Sequence, residues 1–109
     1  MESWDIRSLE VKPHHPEVLR SDGEARLIAI HLPAGEELQE HQVHERAWVL
    51  VIDGMIGIAT PGGDSAEGST GLLAIFDPAE RHEVTALEDS RILLVLAPWP
   101  GDGHPSQRP

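Results

Sequence analysis

At 109 residues with 39% hydrophobic content, the chain holds the material for one packed core and too little to divide into two. Nineteen Asp and Glu against eight Lys and Arg leave a formal net charge of −11, a field that repels a phosphate backbone and argues against a nucleic-acid partner. Without cysteine there is no disulfide, thiolate ligand or thiol nucleophile; the absence of a leader-like start or a bilayer-length apolar run points to a cytoplasmic location and no membrane partner.

Residues 1–17 read as an N-terminal segment, either an edge strand or an arm toward a second subunit. Val18 to Leu32 reads as a hairpin, two β-rich runs around Ser21-Asp22-Gly23-Glu24, where Asp-Gly supplies left-handed turn geometry. Leu32-Pro33-Ala34-Gly35 ends it. A second hairpin is expected from Ala47–Ile52, Asp53-Gly54 and Met55–Thr60. The polar stretch to Gly71 reads as a loop with room for one short strand. Leu72–Phe76, His82–Leu87 and Arg91–Ala97 are of strand length, and no capped 3.6-residue stripe interrupts them. The expectation is an all-β sandwich or barrel over residues 18–98, with 99–109 an irregular or disordered tail.

Seven histidines in so short a chain raise the question of metal, because imidazole is the commonest protein ligand for first-row divalent ions. His14 and His15 sit beside prolines and His104 lies in the tail, so these read as exposed polar residues. His41, His44 and His82 differ, since the first two lie between Gly35 and a strand and the third follows Pro78 at a strand entry.

The segment GEELQEHQVHERAWVLVIDG, Gly35 to Gly54, resembles the first motif of the cupin superfamily: glycine, five residues, His-x-His, three or four residues, Glu, six residues, glycine. The segment GLLAIFDPAERHEV, Gly71 to Val84, resembles the second. The resemblance is to the small single-domain, RmlC-like cupins and implies a double-stranded β-helix, or jelly-roll barrel. It brings in a group that includes metal-dependent dioxygenases, isomerases, epimerases and sensors, among which fold alone does not choose.

His41 and His82 match ligand positions of these motifs, although Pro78 stands one residue nearer His82 than the pattern expects. The second histidine falls on Val43 and the glutamate on Ala47, so the first motif is degenerate. By strand alternation His41, Val43, Glu45 and Ala47 share one face, and His44, Arg46 and Trp48 the other; a bulge would re-aim His44. Gln39 and Glu45 lie on the His41 face, and two histidines with a carboxylate form the set used by non-haem iron oxygenases. The candidate ligand-binding residues are therefore Gln39, His41, Glu45 and His82, and the candidate metal ligands His41, His44 and His82. The cofactor is a divalent iron, manganese, nickel or zinc ion, or none.

Both faces of Ala47–Ile52 are apolar. One fills the barrel, and the stripe Trp48, Leu50, Ile52 needs cover, either from a second subunit in a homodimer or from the N-terminal segment around Trp4 and Ile6. His31 reads as structural, with a barrel-lining role left open, and Arg81 as a surface residue facing away from His82. No serine stands in a nucleophile elbow, and Pro61-Gly62-Gly63-Asp64 lacks the lysine and helix of a phosphate loop. Three functions follow: a small-molecule-binding or sensing cupin with a pocket at the barrel mouth, a metal-dependent oxygenase or isomerase, or a structural or stress protein without ligand. With aromatics at 4%, a small polar or aliphatic ligand is favoured over a large planar one.

Overall fold

The computed structural model describes residues 1–41 and 45–98, with side-chain surroundings for 1–38 and 45–98. Val43, His44 and the tail assignment at 99–109 lie outside the described residues, as do the side chains of Gln39 and His41. Among the described residues there is no helix, and nine strands form: β1 (Glu17–Ser21), β2 (Arg26–Leu32), β3 (Glu37–His41), β4 (Arg46–Asp53), β5 (Met55–Ala59), β6 (Ser65–Ser69), β7 (Leu73–Phe76), β8 (His82–Ala86) and β9 (Ser90–Ala97). The short strand anticipated inside the polar stretch is β6.

Two antiparallel sheets face each other, one ordered β1-β2-β9-β4-β7 and the other β3-β8-β5-β6. Their alternation is that of half-buried strands: in β4, Ala47, Val49 and Val51 are buried while Trp48, Leu50 and Ile52 are not, and β9 repeats the pattern with Ile92, Leu94 and Leu96. Ile56, Ile58, Val84 and Ala86 close the interior from the opposite sheet. Each such aliphatic side chain contributes about 1.5–3 kcal/mol by leaving water.

The first hairpin forms as expected, with Glu17–Ser21 paired to Arg26–Ala29 across one bulge. Asp22 Oδ1 accepts the N–H groups of Glu24 and Ala25 at 2.9 and 3.1 Å, an Asx-type turn. The second expected hairpin does not form. β4 pairs with β9 and β7, whereas β5 pairs with β6 and β8, so Asp53-Gly54 is a corner at which the chain crosses between sheets. Gly54 has φ +91°, and a Cβ there would stand 2.3 Å from Ser90 Oγ and 2.4 Å from the Asp89 carbonyl oxygen. The glycine is needed for close approach, beyond the turn geometry that the sequence suggests. The buried Ser90 hydroxyl locks the corner, accepting the Met55 N–H at 3.0 Å and donating to the Glu88 carbonyl at 2.7 Å.

The outer face of the five-stranded sheet is apolar across the middle of β2, β9, β4 and β7, with Arg20 and Glu17 of β1 flanking it. Register sets Leu27, Val95, Trp48 and Ile75 side by side in one row, and Ala29, Leu93, Leu50 and Leu73 in the next. The N-terminal segment covers one corner of it: Arg91 donates to the carbonyl oxygens of Ile6 and Leu9, the His31 ring bonds the Val11 carbonyl through Nδ1 at 3.1 Å, and Val11 is buried. His31 Nε2 lies 2.9 Å from Asp89. His31 is thus structural and faces outward between the inward Ile30 and Leu32, which removes the barrel-lining alternative.

Candidate functional site

Three polar residues are buried among the described residues: Glu45, His82 and Ser90. Ser90 is accounted for by the corner at Gly54. The other two lie at the opposite end of the barrel, where β4 begins.

His82 opens β8 and is 1% exposed, its side chain inside with those of Val84 and Ala86. Its ring stacks on Phe76 with centroids 4.0 Å apart and planes 12° apart, a contact worth about 0.5–1.5 kcal/mol beyond the area it buries. Its Nδ1 is 3.2 Å from the Glu80 carbonyl oxygen. A carbonyl has only lone pairs to offer, so Nδ1 carries the hydrogen in this bond, and Nε2 is the basic nitrogen of the neutral ring. A stacked aromatic and a backbone carbonyl together fix both the plane and the tautomer.

Glu45 stands immediately before β4 and is 3% exposed. Two residues on, Ala47 faces the interior and is the register partner of Phe76, which places Glu45 at the same barrel end as His82. A carboxylate so far from water is retained only with compensating donors or a cation.

His41 is the last residue of β3, and its backbone sits directly opposite that of His82. Leu38 pairs with Val84 and His41 with His82, three residues advanced on β3 against two on β8, so a bulge lies just before His41. Bulges exchange the faces of everything after them. The structure puts one at Leu38–His41, ahead of the place where the alternation from His41 to His44 would call for it. That alternation also assumed one continuous strand from His41 to Ala47. β3 and β4 belong to different sheets, so face parity does not carry across, and Glu45 is inward because it continues the β4 pattern.

Ala47, at the position of the motif glutamate, is fully buried against Phe76. Arg81 is exposed, as expected, and so are His14, which pairs with Glu36 at 3.2 Å, and His15. Among the described residues no three His, Asp or Glu are gathered so as to hold a metal ion; the side chains of His41 and His44, on which the expected set depends, lie outside them. An open depression of about 160 Å³ lies on the far side of Phe76 and Glu80, the two partners of His82, and is lined also by Ile58, Thr60, Asp64 and Ile75; His82 and Glu45 do not line it. Phe76 and Glu80 escaped the sequence reading. They reach His82 across the gap between two sheets and through a backbone oxygen, and neither relation has a spacing signature. The one available hint is that Phe76 is the only phenylalanine in the chain.

No protein-family model and no curated protein matches the sequence. Solved structures do. An RmlC-like cupin protein of Desulfovibrio desulfuricans superposes with a TM-score of 0.80 at 19% identity, over 90% of this chain and 97% of that one. The chain has the cupin fold. A protein of Klebsiella pneumoniae with a double-stranded β-helix domain is similar at TM-score 0.76 and 19% identity, over 91% of each chain. An RmlC-like cupin family protein of Methanocaldococcus jannaschii follows at 0.72 and 18%, over 84% of this chain and 89% of that one. At such identities the likeness carries the architecture and no residue role. Gly35, Gly54 and Gly71 all have positive φ, a backbone conformation that residues with a Cβ rarely adopt. No helix among the described residues is long and apolar enough to cross a membrane.

Proposed function

We propose that this cupin-fold chain binds a small polar or aliphatic molecule at the barrel end that carries His82, Glu45 and His41. The observation that supports this most is the fixation of a buried imidazole between Phe76 and the Glu80 carbonyl, in an interior whose only other polar side chain at that end, among the described residues, is the buried Glu45. Buried titratable groups gathered at one end of a barrel are candidates for a functional site. His82, with Nδ1 committed, takes up or delivers a proton at Nε2, and Glu45 accepts hydrogen bonds from a ligand hydroxyl or ammonium.

The residue types suit a divalent ion of the iron, manganese, nickel or zinc class, which His41, His82 and either Glu45 or His44 would hold; when bound, it would supply a Lewis acid that polarises a ligand oxygen. The Nδ1 bond of His82 to a carbonyl is the kind of outer contact that orients a metal-bound histidine.

The test is elemental analysis of protein purified without a chelating column, joined to melting curves with Mn²⁺, Ni²⁺, Zn²⁺ and a panel of small polar metabolites. A ligand that binds only the folded state raises its stability, by about 2.7 kcal/mol at a hundred times its Kd. Stabilisation that is lost in His82→Ala and in Glu45→Gln supports the reading. Stoichiometric metal lost in His41→Ala or His82→Ala adds the metal-dependent oxygenase or isomerase chemistry. No bound metal and no stabilisation by any compound would refute the proposal and leave a ligand-free structural protein.

A further inference from the structure

We propose that residues 10–15 form a flap over a crevice between the two sheets, which histidine protonation holds shut and deprotonation lifts. The proposal stands independently of the pocket reading. Upstream, the chain is fastened by a group that keeps its charge at every working pH: the Arg91 guanidinium donates to the carbonyl oxygens of Ile6 and Leu9. Downstream, β1 begins at Glu17. Between these anchors the side-chain fastenings are histidines. The His31 ring stands between the Val11 carbonyl oxygen, 3.1 Å from Nδ1, and Asp89 Oδ1, 2.9 Å from Nε2. His14 Nε2 lies 3.2 Å from Glu36 Oε1. Behind the flap is a crevice of about 50 Å³, with His14, His15 and Pro16 on one side and Ile30, Leu32 and Leu38 of the two sheets on the other.

Hydrogen-bond accounting gives the sign. Both partners of His31 are pure acceptors, and a neutral imidazole has one N–H to offer where the imidazolium has two. Loss of the proton sets a lone pair against either the Val11 carbonyl or the Asp89 carboxylate. Closure therefore takes up a proton: the contacts are complete in mild acid, and rising pH favours opening. The His14–Glu36 contact has the same sign and weighs less, because His14 is 71% exposed. The other charged or titratable groups around these contacts are Arg91, opposite His31 in register, Asp53, opposite Arg91, Glu17, opposite Ala29, and at the crevice His15 and Glu37. Lys12 lies on the flap itself. Of these residue types, histidine is the one that ordinarily changes charge between about pH 5 and 8. His14 is moreover held at φ +65°, unfavourable for a residue with a Cβ, so the closed flap depends on its contacts and not on its own backbone.

Val11 is 5% exposed and the chain has no cysteine, so Val11→Cys places a single thiol under the closed flap. Its rate of labelling by a maleimide, divided by that of a free cysteine peptide at the same pH, should rise about tenfold from about pH 5.5 to about pH 8, the equivalent of one charge-assisted hydrogen bond. Adding His31→Gln, which does not titrate, should remove most of that rise, and adding His14→Gln as well should flatten it. Val49→Cys, in the core at 2% exposure, should stay protected at both pH values. In the unmodified chain, amide hydrogen exchange of residues 10–15, corrected for the intrinsic rate at each pH, should show the same loss of protection. Equal protection of residues 10–15 at the two pH values in the unmodified chain would overturn the proposal. So would a pH response undiminished in the double histidine variant, or labelling of Val49→Cys in step with Val11→Cys, which would make the event global unfolding.

Discussion

Alanine at Gly54 should cost far more than alanine at Gly35, although both positions have left-handed backbone, with φ +91° and +83°. The conformational cost alone is about 1–2 kcal/mol for a residue with a Cβ. At Gly35 nothing lies within 4 Å of the added atom, so this is the whole penalty. At Gly54 the new Cβ falls 2.3 Å from Ser90 Oγ, 2.4 Å from the Asp89 carbonyl oxygen and 2.7 Å from Ser90 Cα. Two of these are backbone atoms that no rotamer change can withdraw. Relieving the clash moves β9 away from the corner and breaks the Ser90 hydroxyl bonds to Met55 and Glu88. Overpacking adds about 1–3 kcal/mol, and stranding a buried partner about 1–3 more. A total of about 5.5 kcal/mol against about 1.5 is expected, or a fall in Tm of roughly 22 °C against roughly 6 °C at about 4 °C per kcal/mol. Urea unfolding followed by far-UV circular dichroism separates the two variants. Equal losses within about 1 kcal/mol would mean that Asp53-Gly54 turns freely and is not a corner packed on Ser90, and the account of how the chain changes sheets would fail.

Phe76→Leu removes the ring under His82 and should cost about 2 kcal/mol, and in NMR spectra the His82 ring protons should lose their aromatic upfield shift; unchanged His82 resonances would show that the two rings do not stack. The Asp22 carboxyl is held below its ordinary value of 3.8 by the Glu24 N–H first, then by Arg20 and the Ala25 N–H. Because this is a carboxylate favoured in the folded state, its contribution is full above the unfolded value and fades as pH falls through the folded one. The stability difference between the wild type and Asp22→Ala should therefore be present at neutral pH and shrink below pH 3.8, as read by urea unfolding at several pH values; a difference that stays constant through acid would place its origin elsewhere.

Strand identity was legible where a strand obeys a period of two with one face inside, as β4, β5, β8 and β9 do. Pairing was less so. Asp-Gly between β-rich runs signals a hairpin, and at Asp22-Gly23 it is one. At Asp53-Gly54 the same dipeptide makes a corner, because both β4 and β5 find their partners among strands far away in sequence. Local turn chemistry is the same in the two cases, and only the competition for β9 and β8 distinguishes them. His82 was legible through its motif, and its backbone alignment with His41 follows from the bulge at Leu38–His41, a one-residue event without a sequence mark. Glu45 was chosen on face parity that the change of sheets invalidates, yet it is buried at the expected end, because the β4 pattern extends one residue-pair beyond the strand.

The two ends of the barrel divide the work. At the Gly54 end the chain is tied by hydrogen bonds: the Met55 N–H donates to the Ser90 hydroxyl, the Gly35 N–H to the Ala86 carbonyl at 2.9 Å and the Ala86 N–H to the Glu36 carbonyl at 2.8 Å. The His82 end instead spends interior volume on an imidazole and a carboxylate, each of which a stabler protein would replace with aliphatic carbon. The eight residues of β4, at about 3.3 Å each, separate the ends by roughly 25 Å. Phe76 and the Glu80 carbonyl hold His82 to one plane and one tautomer, so the polar end owes its order to local contacts and not to the closed end.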